Sequence, residues 1–304
     1  MKIITINGAT GMIGSRITEV FRKKKYSINI LTRNITKAKN LFQNYNDINY
    51  IDINDKNEIT EVLYKTNVLI NLAGASIGGK RWTEKYKKEI YNSRILSTKF
   101  IAELIKHSDN KPELFINASA IGYYGQGNDK IFTEKDNAGN DFIANLCNDW
   151  ENEADKVSNK IRTIKLRTGL VLDNKAGALV KLIKPFKFYI GGILGTGKQY
   201  QSWIHIKDLI NILIYCIDNS KISGPVNAVS PNPVTNKEFS ATLGSILKKP
   251  SFFIIPSPVL KIIIGEFANF LITGQRVYPE YLINEGFKFE FENIRDALND
   301  LISQ

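Results

Sequence analysis

The stretch ITINGATGMIGSRITEVF, residues 4–21, places Gly8, Gly11 and Gly14 at intervals of three directly behind an apolar run. KIITIN (2–7) is short and rich in β-branched residues, the pattern of a buried strand. Ile13, Ile17, Val20 and Phe21 then recur at helical spacing. The glycines therefore join a strand to a helix, the context in which such a trio binds a dinucleotide. Gly8 permits the tight turn, Gly11 lets the backbone approach a pyrophosphate, and Gly14 lets the helix lie close to the strand. Free amides at the helix start face the negative charge, so Thr10, Gly11, Met12, Ile13 and Gly14 join Gly8 as candidate contacts.

The next strand is SINILTR (27–33). An acid at its end would accept hydrogen bonds from a ribose 2′-hydroxyl and mark NAD. Thr32 and Arg33 stand there instead. A guanidinium suits a 2′-phosphate through charged, forked hydrogen bonds, so NADP is the expected cofactor; the plainer alternative is that Arg33 is a solvated loop residue. INYIDIND (48–55) reads as a third strand ending at Asp52, a candidate neighbour of the adenine. NVLINLAGA (67–75) reads as a fourth, after which Leu72, Ala73 and Gly74 bring the backbone close to the cofactor. Strands alternating with helices imply a parallel sheet covered on both faces.

At 304 residues the chain exceeds what one core usually serves, and a large unit with a smaller attached part is expected. The net charge of +11 admits an anionic partner. Its basic residues, however, lie in separate segments (Arg22 to Lys25, Lys80 with Arg81, Lys85 to Lys88, Lys248 with Lys249), with no basic tail and no zinc-finger or RRM motif. Nucleic acid is therefore not an expected partner. The most apolar late stretch, SFFIIPSPVLKIIIGEF (251–267), is broken by Pro256, Pro258 and Lys261 and falls short of the ~20 apolar residues of a membrane helix. It is expected to pack internally, with no membrane partner. Cys147 and Cys216 lie far apart and only two histidines are present, so neither a disulfide nor a metal centre is expected. The N-terminus runs straight into the strand pattern without a signal peptide, and a reducing cytoplasm fits.

NGATGMIG, NLAGA, NASAIGYYG, LRTGLVL, SWIHIKDL and GPVNAVSPNPVTNKEF follow one another in this order along the chain. Together they resemble the extended short-chain dehydrogenase/reductase superfamily. More narrowly, they resemble its atypical "epimerase family protein" branch, which ends in a short C-terminal domain of unknown function. GKRWTEKYKKEIYNSRILSTK (79–99) and GQRVYPEYLINEGFKFEF (274–291) are also similar to that branch, so the resemblance covers nearly the whole chain. It implies an α/β Rossmann fold, a doubly wound parallel sheet. An NADP-binding core would span residues 1–170, with 203–230 returning to it. A smaller C-terminal α/β substrate-binding part would comprise 171–202 and 231–304. Many extended members pair as homodimers, and no helix face in the sequence singles out such an interface.

In the superfamily the reaction rests on a Ser or Thr after the fifth strand and a Tyr-x-x-x-Lys on the next helix, where the lysine lowers the tyrosine pKa from about 10. ELFINAS (113–119) reads as the fifth strand, and Ser119 matches the family serine. NDFIANLCNDWENEADKV (140–157), the helix expected next, has no tyrosine and no lysine before Lys156. Ile143 and Cys147 stand where the pair would be, or Phe142 and Leu146 one residue earlier. Cys147 is expected to be an inert core thiol. Tyr124, next to Tyr123, matches a family tyrosine that lines the substrate pocket. Arg94 replaces an asparagine that holds a relay water in many extended members. An arginine there suits an oxyanion or a substrate carboxylate but cannot act as the general acid. Arg167 and Gly169 close and follow IRTIKLRT (161–168), where the superfamily backbone approaches the nicotinamide.

The candidate catalytic set is thus Ser119, Tyr124 and Arg94, acting on a small molecule. Two functions remain open: an NADP-dependent oxidoreductase or epimerase-like enzyme, and a non-catalytic NADP(H)-binding redox sensor or structural partner, which the missing Tyr/Lys pair favours. Whether Lys80 and Arg81 hold an anionic group or are solvated also stays open. IGGILGTGKQYQSW (190–203) reads as a flexible glycine loop, His205 as structural, and Asp208 as a helix N-cap or first-turn acid. Thr235 and Glu238 form a capping box. Phe252, Phe253, Phe267, Phe270 and Tyr278 are expected to form the core of the C-terminal part.

Overall fold

A computed structural model describes residues 2–43, 45–127 and 129–303. Seven parallel strands form one sheet: β1 (Ile3–Asn7), β2 (Ser27–Thr32), β3 (Ile48–Asp52), β4 (Val68–Asn71), β5 (Leu114–Ala120), β6 (Arg162–Thr168) and β7 (Gly224–Ala228). Their spatial order is β3-β2-β1-β4-β5-β6-β7. The direction of winding reverses between β1 and β4, so a crevice opens at the carboxyl ends of those two strands.

The strands are buried on both faces, and successive side chains part to opposite cores. Ile4, Ile6, Ile28 and Ile30 pack with α1 (Met12–Lys23) and α7 (Ile206–Asp218). Leu31, Leu69 and Phe115 pack with α3 (Lys56–Lys65), α4 (Glu84–His107) and α5 (Phe142–Asp155). The shorter α2 (Ile35–Leu41) follows β2 and is capped by Asn34. The segment 203–230 contributes α7 and the edge strand β7, which pairs with β6.

Outside this sheet the chain builds four two-stranded ties. Leu170–Leu172 pairs with Trp203–His205, Gly192–Leu194 with Phe253–Ile255, Tyr200–Gln201 with Val234–Thr235, and Ile131–Phe132 with Arg276–Val277. The helices here are α6 (Ala178–Lys187), α8 (Asn236–Leu247), α9 (Ser257–Ile264), α10 (Phe267–Ile272), α11 (Glu280–Asn284) and α12 (Ile294–Ile302). The Thr235/Glu238 capping box opens α8.

Two expectations, the glycine loop and the aromatic C-terminal core, are corrected. The glycine loop is partly strand: a Cβ on Gly191 would collide with Phe186 and one on Gly192 with the Phe253 carbonyl, so these glycines serve close packing. Asp208 lies in the first turn of α7, one of the two places expected for it, and its carboxylate accepts from the amides of Glu290 and Phe291 at 2.8 and 2.9 Å. The N-cap of α7 is His205, whose Nδ1 accepts from the Lys207 amide. Finally, Phe252 and Phe253 are exposed and Phe270 lines a cavity, so the C-terminal core is not built from them. It is built from Leu282, Phe287, Phe291, Ala297 and Leu298, continuous with the core around α7.

Candidate functional site

A cavity of about 560 Å³ opens at the carboxyl edge of the sheet. One side is the glycine turn and the start of α1. Gly8 has φ +86°, and a Cβ there would lie 2.8 Å from the backbone of Leu72 and Ala73. A Cβ on Gly14 would lie 2.4 Å from the Gly8 carbonyl oxygen, which is why the helix can hug the strand. Around Gly11 only that same oxygen comes near, at 3.3 Å, so the space in front of Gly11 is free. Gly11 is the N-cap residue of α1, with no side-chain cap and no acid in the first turn. The helix therefore meets the cavity with uncapped amides at Met12, Ile13 and Gly14, a cradle for negative charge.

The carboxyl ends of three strands are fixed by a buried asparagine ladder. Asn7, Asn71 and Asn117 are register neighbours across β1, β4 and β5. Asn7 donates to Asn71 at 3.0 Å and Asn71 to Asn117 at 2.8 Å. Thr98 of α4 joins them and accepts from the Trp150 indole at 2.7 Å. Every member has a partner, so the ladder rigidifies the edge that carries the site instead of penalising the fold.

The opposite wall comes from α4 and α5. Arg94 lines the cavity although it is only 8% exposed. Its guanidinium packs over Gly74, where a Cβ would come within 3.1 Å of Cζ, and lies 5.2 Å from the Trp150 ring. Its one hydrogen bond among the described residues goes from Nη1 to the Ile90 carbonyl, and no described carboxylate pairs with it. Burial pushes its pKa down. A desolvated cation with donors to spare is the strongest single request for an anionic or oxyanionic ligand in the cavity. Along α5 the side chains facing the cavity are Ile143, Leu146, Cys147 and Trp150. Burial, with the Glu151 charge adding, pushes the Cys147 thiol up to about 12, so it stays protonated.

Ser119 lines the floor. Its hydroxyl donates to Glu151 Oε1 at 2.7 Å, and Arg167, its register neighbour on β6, grips the same carboxylate through Nε and Nη2 at 2.8 Å each. All three are buried. Burial alone would lower the Arg167 pKa, but the fork to Glu151 outweighs it and holds the guanidinium charged. Arg167 also donates to the Tyr124 hydroxyl at 3.0 Å and lies 3.5 Å from the Tyr123 ring centroid. Tyr124 in turn donates to Asn227 at 2.6 Å. Burial pushes the Tyr124 phenol up to about 12, against the pull of Arg167.

The candidates thus divide. Gly8, Gly11, Met12, Ile13, Gly14, Leu72, Gly74, Arg94, Ser119 and Gly169 all border the cavity. Thr10 and Ala73 lie in the same turns but do not border it. Tyr124 and Arg167 do not border it: both take part in the network under Ser119. Arg33 is exposed one residue beyond β2, at the sheet edge that carries Gly8, and Asp52 caps its own turn by accepting from Asn54. Arg81 donates to the Ile262 carbonyl and stays outside the cavity. Sequence reading missed Glu151, one of four acids on α5, whose only signal was its place one turn beyond Cys147. It also missed Gln201 and Gln275, which close the cavity from the C-terminal part.

The NAD dependent epimerase/dehydratase family matches residues 4–228, and a domain of unknown function, DUF1731, matches 255–301. The chain belongs to the NAD dependent epimerase/dehydratase family. It is 36% identical over 301 residues to the chloroplastic epimerase family protein SDR39U1 homolog of Arabidopsis thaliana, covering 98% of this chain and 86% of that one. It is 37% identical to epimerase family protein YfhF of Bacillus subtilis, covering 99% and 98%. Among solved structures, human epimerase family protein SDR39U1 with NADPH superposes with a TM-score of 0.86 at 26% identity over 99% of both chains. A UDP-glucuronic acid 4-epimerase from Bacillus cereus shares the fold, with a TM-score of 0.76 at 18% identity over 98% of this chain and 97% of that one. In this family member the wall of α5 that faces the cavity is apolar.

Proposed function

We propose that this chain is an NADPH-dependent oxidoreductase of the extended short-chain type, acting in the cytoplasm on a small, largely apolar molecule that bears a carbonyl or anionic group. The observation that carries the reading is the meeting, in one cavity, of the uncapped start of α1 with the buried Arg94, which no described carboxylate pairs. The glycine cradle, whose open space a Cβ at Gly11 would enter, fits a diphosphate, and the exposed Arg33 fits a 2′-phosphate. NADPH has been seen with the human relative, in line with that preference. When bound, the nicotinamide supplies hydride.

The chain's own groups then have distinct tasks. Arg94 stabilises negative charge on the substrate oxygen without giving up a proton. Ser119 has its proton committed to Glu151, so it presents lone pairs to the cavity and pairs with a ligand N–H or O–H. Neither Tyr124 nor Cys147 is a fitting acid, both being pushed up to about 12, and the proton is assigned to water. A second reading, a redox sensor that binds NADPH without turnover, is favoured by the apolar wall of Ile143, Leu146, Cys147 and Trp150.

Titration with NADPH and NADH, followed by nicotinamide fluorescence, tests the cofactor. NADPH is expected to bind more tightly, and Arg33→Asp to weaken NADPH alone; binding of neither would overturn both readings. Oxidation of NADPH across a panel of aldehydes, ketones and sugar nucleotides separates them: tight binding with no turnover selects the sensor.

A further inference from the structure

The apolar stretch 251–267 does not pack inward. Phe252 is 73% exposed and Ile262 75%, with Ile254 exposed beside them. Phe188, Tyr189 and Ile190, which follow α6, adjoin this surface: Gly192–Leu194 pairs with Phe253–Ile255, and Lys249 Nζ lies 3.7 Å from the Tyr189 ring centroid. These two segments hold nine of the thirteen large apolar side chains exposed among the described residues. Such clustering marks a contact surface, whereas single exposed residues would not.

The charges of this face have one sign. Residues 178–190 and 248–264 carry Lys181, Lys184, Lys187, Lys248, Lys249 and Lys261 and no Asp or Glu. Lys181 donates to the Gly78 carbonyl, and none of the six is ion-paired among the described residues. The next acid along the chain, Glu266, pairs with Lys87 at 3.2 Å.

We propose that this face docks on an anionic lipid surface. Aromatic and aliphatic side chains beside lysines are what the boundary between headgroups and acyl chains accepts: the apolar groups enter and the ammonium groups meet lipid phosphates. A second copy fits less well, because a two-fold interface would set lysines against lysines. The chain lies on the bilayer and does not cross it: α9 has 8 residues, and no described helix is long and apolar enough to span. α9 leads into α10, whose Phe270 and Leu271 line the cavity, so the docked face adjoins the ligand site.

Co-sedimentation with vesicles tests this independently of any cofactor. The chain is expected to pellet with phosphatidylglycerol/phosphatidylcholine vesicles, to stay in the supernatant with phosphatidylcholine alone, and to be released by high salt. Each lysine near the surface strengthens binding about fivefold, so Lys248→Glu with Lys261→Glu is expected to cut partitioning at least tenfold. Phe188→Ser with Ile262→Ser is expected to abolish it. These positions are exposed, so an unchanged circular dichroism melt shows that the fold survives. Absence of pelleting, equal pelleting with neutral vesicles, or variants that pellet like the wild type would each overturn the proposal. So would a dimer in gel filtration that Phe188→Ser converts to monomer.

Discussion

Ser119 and Glu151 meet beneath the cavity, hydroxyl to carboxylate at 2.7 Å, and the same carboxylate is forked by Arg167. The serine is thereby held by a buried ion pair that does not border the cavity. Removing one member of such a pair leaves an uncompensated charge, at a cost of about 3–5 kcal/mol. Glu151→Ala is expected to lower the unfolding free energy, read from urea denaturation, by that amount. Ser119→Ala, which leaves the ion pair whole, is expected to cost about 1 kcal/mol. Chemical denaturation of the two variants checks the order.

Arg94 is the opposite case, a buried cation kept without a carboxylate among the described residues. Holding it there costs stability unless a ligand answers it. Arg94→Met keeps the bulk and removes the charge, and is expected to stabilise the ligand-free chain by about 1–3 kcal/mol. It is also expected to abolish thermal stabilisation by small carboxylates. Differential scanning fluorimetry reads both effects, and a lower melting temperature for Arg94→Met would contradict the first.

Gly11 and Gly14 separate binding from folding. A Cβ at Gly14 meets the Gly8 carbonyl oxygen at 2.4 Å, and overpacking of this kind costs about 1–3 kcal/mol. A Cβ at Gly11 meets the same oxygen only at 3.3 Å and otherwise projects into free space. Gly14→Ala is expected to lose stability and nucleotide affinity together. Gly11→Ala is expected to keep its stability within about 0.5 kcal/mol and lose affinity for the dinucleotide. Paired melts and NADPH titrations distinguish them.

His205 is fully buried, stacked on Phe291 at 3.9 Å, with Nε2 3.3 Å from Asp300. Burial pushes its pKa down to about 4, against the pull of Asp300 and with Lys207 adding to the fall. The folded state therefore binds fewer protons than the unfolded state between pH ~6.5 and ~4. Its contribution is whole above the upper value and is lost as pH falls, by up to about 3 kcal/mol. Relative to His205→Gln, the wild type is expected to lose its stability advantage on going from pH 7 to pH 4. Parallel melts across that range measure the difference. Asp208, pushed up to about 6 chiefly by burial, is present in both proteins and cancels.

The strand, turn and helix at the N-terminus were legible because their forces are local. An apolar run, three glycines and a 3.6-residue period state the geometry of Gly8, Gly11 and Gly14 without help from distant residues. The ladder was written there too, in the repeated Ile-Asn that ends β1 and β4 and recurs inside β5, yet only the strand order shows that Asn7, Asn71 and Asn117 touch. What tertiary structure alone decided is which polar groups are spent and which are free. Tyr124 and Arg94 looked alike as candidates in the sequence. Packing gave Tyr124 two partners under the floor and gave Arg94 no carboxylate at the wall. The same holds for the apolar run near residue 260: hydrophobicity is a local property, but whether a run is covered depends on what the rest of the chain brings to it, and here no described residue covers Phe252 or Ile262.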